Sequence, residues 1–146
     1  MPVNNKNTWI MVANGSMGRV FCFNDKKSHI ELIKEVVSET AHSRSAELGN
    51  DRPGRVYESA NSARHAVEPK TDLHRKEKAR FAHLMASLLD EGANSQKFSD
   101  LILISSPEFL GDIRAELSKY TYSMVKKEIN KDLTHINKKE ILNYIN

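Results

Sequence analysis

The spacing of apolar residues changes character about a third of the way along this chain. Before that point it suits strands. "TWIMVA" (Thr8 to Ala13) is a short apolar run, "NGSMG" supplies two glycines for a turn, and "RVFCFN" (19–24) resumes with the β-branched and aromatic content that favours a pleated surface. A second turn at "NDKKS" leads into "HIELIKEVV" (29–37), where apolar and charged residues alternate less cleanly. These three segments predict an antiparallel meander. Residues 38–71 show no sustained period, and a loop of that length in a compact domain is uncommon unless it has a function or lacks order.

The period then becomes helical. In "TDLHRKEKARFAHLMASLLDEG" (71–92) Leu73, Phe81, Leu84, Met85, Leu88 and Leu89 fall on one arc, with Thr71 placed to cap the start and Gly92 to end the helix. Arg75, Lys76, Arg80, His83 and Asp90 take the opposite arc, and His74 falls on the apolar side of the first turn. "DLILISSPEFLGDIRAELS" (100–118) reads as strand then helix. The run Leu101 to Ile104 suits a strand buried on both faces, Ser106 is placed as N-cap, Pro107 suits the first helical position, and Leu110, Ile113 and Leu117 make the inner stripe. A further strand is expected from about Met124 to Asn130. The last helix opens at Asn137 as N-cap, with Glu140 completing a capping box and Ile136 with Ile141 a hydrophobic staple. The order β-β-β, long loop, α-β-α-β-α needs right-handed crossovers in its second half. It predicts a three-layer α/β domain over residues 1–146 with a mixed five-stranded sheet.

At 146 residues, with 39% apolar and 28% charged positions, the chain is sized for one domain with a real core. No apolar run approaches the roughly 20 residues that span a bilayer, so no membrane insertion is expected. The apolar patch Trp9 to Ala13 is shorter than a secretory h-region, and Cys22 is the single cysteine; both point to a cytoplasmic protein. The formal charge of +3 hides an uneven distribution. Between Arg44 and Arg80 nine basic residues stand against six acidic ones, an excess equal to that of the whole chain. Such clustering attracts polyanions, although a solvated surface explains a modest bias as well.

Candidate chemistry is sparse. "NGSMGR" fits neither the dinucleotide nor the P-loop fingerprint and reads as a hairpin turn. The histidines form no close pair and have no cysteine partners, so no metal site is expected, and no cofactor is implied. A hydrolytic centre would need His65, Glu68, Asp72 and His74 to meet Asp132 and His135 where the long loop folds over the carboxyl ends of the later strands. The plainer alternative has Asp132, Thr134 and His135 ordering the last helix, as most such groups do. Ser105 and Ser106 lack a nucleophile-elbow context, and a serine before proline is better read as a cap. In the loop, Arg52, Arg55 and Arg64 carry planar forks suited to phosphate, next to the positive end of the helix that begins near Asp72. Equally, those arginines can pair with Asp51, Glu58 and Glu68 and pin the loop to its own domain.

"DRPGR" (51–55), "RHAVEP" (64–69) and "KDLTH" (131–135), with "TWIMVANG" near the start, resemble the bacterial host-attachment protein family over about Trp9 to Ile145. More distantly, the layout is similar to the middle domain of archaeal and eukaryotic class-one peptide-chain release factors, which implies a ribonuclease H-like topology. In those factors the loop before the long helix bears a Gly-Gly-Gln tripeptide. No such tripeptide occurs here, so the resemblance does not imply peptide release, nor does the chain keep the carboxylate cluster of two-metal ribonucleases. The leading expectation is a non-catalytic cytoplasmic module that binds RNA or the ribosome through Arg52, Arg55, Arg64, His65 and His74. Its rivals are a small hydrolase using His65 or His135 with Asp132 or Glu68, and an adhesion-related protein acting in attachment to host cells. Exposed strand edges leave room for a homodimer.

Overall fold

A computed structural model describes residues 7–24, 30–38 and 70–145. Strand β1 (Asn7–Ala13) is followed by β2 (Met17–Asn24), β3 (Ile30–Val37), helix α1 (Lys70–Asn94), β4 (Asp100–Ser105), α2 (Pro107–Glu116), the single turn α3 (Lys119–Tyr122), β5 (Val125–Ile129) and α4 (Lys138–Ile145). The five strands form one mixed sheet in the order β3-β2-β1-β4-β5. Its first three strands pair antiparallel, with Met11 opposite Val20 and Phe21 opposite Leu32. Parallel pairing joins β1 to β4 and β4 to β5. The expected 38–71 loop lies, over 39–69, outside the described residues.

The two-residue period of the strands sorts their side chains to two cores. Met11, Ala13, Leu101 and Leu103 face α1 and α2, where Phe81, Met85, Leu89, Phe109 and Ile113 complete one buried cluster. Ile10, Val12, Ile102 and Ile104 face the other way and meet Leu133 and Ile141 at the start of α4. Helices therefore cover both faces of β1 and β4, which is why these strands read as continuous apolar runs. Among the described residues no helix is long and apolar enough to cross a membrane.

Several local expectations change on this frame. Helix α1 begins at Lys70, so Thr71 lies inside it. It also runs past Gly92, which is no terminator: a Cβ there would come within 2.6 Å of the Trp9 ring, so glycine is required for close helix–sheet packing. The helix ends instead in a Schellman motif, with Lys97 N–H donating to Gly92 O and Gln96 N–H to Ala93 O, and Gln96 taking the left-handed φ of 57°. The buried stripe of α1 is Phe81, Ala82, Met85, Ala86, Leu89 and Ala93, whereas Leu73 and Leu84 stay 48% and 45% exposed. Small alanines let the helix axis approach the sheet, and that rotates the larger leucines outward. Gly18 serves space too, since a Cβ there would sit 2.5 Å from Met85 Cε. At α2, Pro107 takes the first position as expected, but the Ser106 side chain makes no capping hydrogen bond. Proline at the first position leaves the helix one orphan N–H fewer and fixes φ for the first turn. Asn137 does cap α4, its Oδ1 accepting from Glu140 N–H at 2.9 Å.

Candidate functional site

Parallel α/β sheets gather loops at the carboxyl ends of their strands, and here those loops are the Asn14 turn, the β4–α2 junction and the segment after β5. Asn14 ties two of them together. Its Oδ1 accepts from the N–H groups of Ser16 (2.8 Å) and Met17 (3.0 Å), which closes the β1–β2 hairpin. Its Nδ2 donates to Asp132 Oδ2 at 3.0 Å and to Thr134 Oγ1 at 3.2 Å. Asp132 Oδ1 in turn accepts from Thr134 N–H (3.1 Å) and Thr134 Oγ1 (2.6 Å). Partial burial pushes the Asp132 carboxyl up. The hydrogen bonds from Thr134 and Asn14, aided by the nearby His135 imidazole, outweigh it and hold the group below the usual carboxylate range. Every polar atom of the Asn14 side chain is thus used. The arrangement is a latch between residues far apart in sequence.

The beginning of α1 occupies the same end of the sheet and is built differently. Gly92 packs on Trp9, and Lys78 lies across Gly15, where a Cβ would meet its Cγ at 2.9 Å. The rise from Lys78 to Gly92 is about 21 Å along a helix and that from Trp9 to Gly15 about 20 Å along a strand, so α1 runs antiparallel to β1 with its start beyond the sheet. Leu73, His74, Arg75 and Lys76 are accordingly all exposed, which no turn of a helix lying flat on a sheet would be. From Lys70 to Arg80 the helix carries Lys70, Arg75, Lys76, Lys78 and Arg80 against Asp72 and Glu77. Lys78 Nζ stands 3.8 Å from Glu108 Oε2 at the start of α2, a distant and exposed pairing. The last turn of α1 has no basic residue. Near that end Asp90 accepts from Ser118 N–H, Ser118 Oγ and Thr121 Oγ1. The cations from Arg75 to Arg80 stand in the second and third turns of α1, past the first turn over which the helix dipole chiefly acts. Lys76 and Arg80 also repel each other at a four-residue spacing.

Of the residues expected to act, Arg52, Arg55, Arg64, His65 and Glu68 lie outside the described residues. His74 is exposed on the projecting turn of α1, and Asp132 and His135 lie after β5 at the same end of the sheet. Among the described residues no hydrogen bond joins Asp132 to either histidine, and no three His, Cys, Asp or Glu side chains gather to hold a metal ion. Ser105 is fully buried, and its Oγ finds no hydrogen-bond partner there. Sequence reasoning missed Asn14. An Asn-Gly pair after a strand signals a turn, and nothing local shows that the same amide reaches a carboxylate 118 positions away.

A mixed five-stranded α/β sheet, latched at its carboxyl end and overhung there by a cationic helix start, defines the class of this molecule. The family model described as "Protein required for attachment to host cells" matches residues 9–145. The chain belongs to that family. It is also similar to an uncharacterized protein of Rickettsia prowazekii (strain Madrid E), with 33% identity over 84 residues, 56% of this chain and 56% of that protein. The match therefore spans just over half the length of this curated relative.

Proposed function

We propose that this host-attachment family protein is a non-catalytic cytoplasmic module that binds RNA or a ribonucleoprotein at the carboxyl end of its sheet. The reading rests on one observation: the projecting start of α1, from Lys70 to Arg80, gathers five cations against the two acids Asp72 and Glu77. Such a local excess of positive charge attracts a polyanion and is neutralised by it. The arginines 52, 55 and 64 and His65 enter the chain just before this helix, and His74 lies on it, so the reading assigns all of them to one contact surface. We read the strand order and its antiparallel-then-parallel pairing as ribonuclease H-like and similar in layout to the release-factor middle domain. Asp132 spends its carboxylate oxygens on Asn14 and Thr134, which suits a latch better than a general base. Attachment to host cells, on this reading, depends on the protein indirectly.

The test is binding of labelled tRNA and of purified ribosomes across a salt series. Replacing Arg75, Lys76 and Arg80 together by alanine is expected to weaken binding by about tenfold or more at low salt. It should also flatten the slope of log affinity against log salt by about two. The pair Arg52→Ala, Arg55→Ala should act in the same direction. Absence of binding at low salt, or an unchanged affinity and slope in the triple variant, overturns the reading.

A further inference from the structure

A second cationic region lies on the far edge of the sheet. From Lys119 to Ile145 six lysines stand against three acids, Glu128, Asp132 and Glu140. The same stretch carries three tyrosines, and each is exposed: Tyr120 at 50%, Tyr122 at 44% and Tyr144 at 39%. They stand on two helices that flank β5, Tyr120 and Tyr122 on α3 and Tyr144 on α4. Strand β5 is the edge strand, with Lys126 and Lys127 exposed on it. Before it comes α3 with Lys119, Tyr120 and Tyr122; after it comes Lys131, whose Nζ stands 5.3 Å from the centroid of the Tyr144 ring. Lys127 Nζ donates to the Tyr144 carbonyl at 3.3 Å, so two ammonium groups and one aromatic ring share a small area. The acids are largely committed elsewhere. Glu128 is held by Arg114 through two nitrogens and by Tyr122 OH, and Asp132 by the latch. Asp100 stands 3.7 Å from Lys126, which leaves Lys127 and Lys131 as the cations beside the ring.

Lysines on an edge strand are the ordinary means of preventing sheet-to-sheet pairing. That accounts for Lys126 and Lys127 but not for the exposed Tyr144 ring beside Lys127 and Lys131, on the face of the strand opposite to Glu128 and Tyr122. Aromatic faces interleaved with cations along an extended track are what sequence-tolerant binding of single strands requires, because every base has a face to stack and every nucleotide a phosphate to neutralise. The geometry points to the β5 edge as a binding surface for single-stranded RNA, with a base stacked on Tyr144 and the adjoining phosphates met by Lys127 and Lys131. The track along β5 is about 17 Å long, enough for a few nucleotides. This surface goes beyond the α1 site and does not depend on it, since the two regions share no residue.

Fluorescence anisotropy of the full chain with a labelled uridine dodecamer tests it. Tyr144→Ala is expected to weaken binding about tenfold, while Tyr144→Phe, which keeps the ring, stays within about twofold of wild type. Lys127→Ala with Lys131→Ala should weaken binding and lower the salt slope by roughly 1.4. An RNA duplex of the same length should bind without sensitivity to Tyr144, because its bases are already stacked. Thermal melts of each variant separate binding from folding, and photo-crosslinking of a thiouridine dodecamer to Tyr144 in the wild-type chain needs no variant. Equal binding by Tyr144→Ala and wild type, equal loss in Tyr144→Phe and Tyr144→Ala, or crosslinks confined to other residues would each overturn the proposal. The α1 triple variant serves as the control: dodecamer binding that survives it leaves this surface standing even if the α1 reading fails.

Discussion

Two structures share the carboxyl end of the sheet, and they treat polar groups in opposite ways. The Asn14 latch satisfies each donor and acceptor it brings together, within a few ångströms and across 118 residues of sequence. The start of α1 gathers cations on an exposed stretch and sets them close to one another with few acids among them. The latch has the features of a group selected for holding the fold, because buried or half-buried polar atoms must be paired to be tolerated. The helix start has the features of a group kept at some cost to the fold. Stability and binding should therefore separate cleanly between them.

The largest expected effect comes from breaking the latch. Asn14→Ala removes two hydrogen bonds that close the hairpin and two that hold the segment after β5, one of them to a carboxylate. A loss of about 2–3 kcal/mol is expected, read in a thermal melt as a fall of roughly 6–10 °C. RNA affinity measured well below that melt should be unchanged. If Asn14→Ala instead lost binding with an intact melt, the latch would belong to the binding surface and the contrast would be gone.

How much of this was legible beforehand depended on whether a feature was local. Strands β1, β2 and β4 and helices α1, α2 and α4 announced themselves through period and capping residues, and the mixed sheet follows from their order. The turn α3 did not, since "KYTY" is too short to have a period. Helix α1 buries Phe81, Met85 and Leu89 as expected, but its inward face is rotated away from Leu73 and Leu84 toward the alanines. Leucines 73 and 84 dominate a hydrophobicity count, yet Ala82, Ala86 and Ala93 decide the packing because only small residues let the helix come close. Gly92 looked like a stop for the same reason: its partner, the Trp9 ring, is 83 positions away. At the site, Asp132 was visible as a polar residue after a strand, whereas the role of Asn14 exists only once the chain has folded. The β5 edge was overlooked because its lysines and tyrosines are spread over 25 residues and cluster only when α4 packs back beside β5.

A smaller effect tests the electrostatics of the latch. Asp132 titrates below its unfolded value of about 3.9 because Asn14 and Thr134 bond its charged form. A group depressed in this way adds stability above the unfolded pKa and loses it as pH falls through the folded one. Wild type should therefore lose melting temperature on acidification below about pH 4, by more than the variant Asp132→Asn, which has no charge to lose. The variant pays for this at neutral pH, where its amide faces the amide of Asn14. Equal acid slopes in the two proteins would mean that Asp132 is not held as an anion.

The smallest effect is on the stability of variants that should lose binding. Arg75→Glu and Lys76→Glu lie past the first turn of α1, and Lys76→Glu turns the repulsion with Arg80 into attraction while setting a like charge four residues from Asp72. Each change should leave stability within about 0.5 kcal/mol of wild type, with the difference shrinking further at high salt as the charges are screened. Binding of tRNA should fall in the same variants. A protein whose stability is indifferent to these cations while its binding depends on them carries them for its ligand. A lower melting temperature would show instead that Arg75 and Lys76 support the fold, and the two structures at this end of the sheet would then be of one kind.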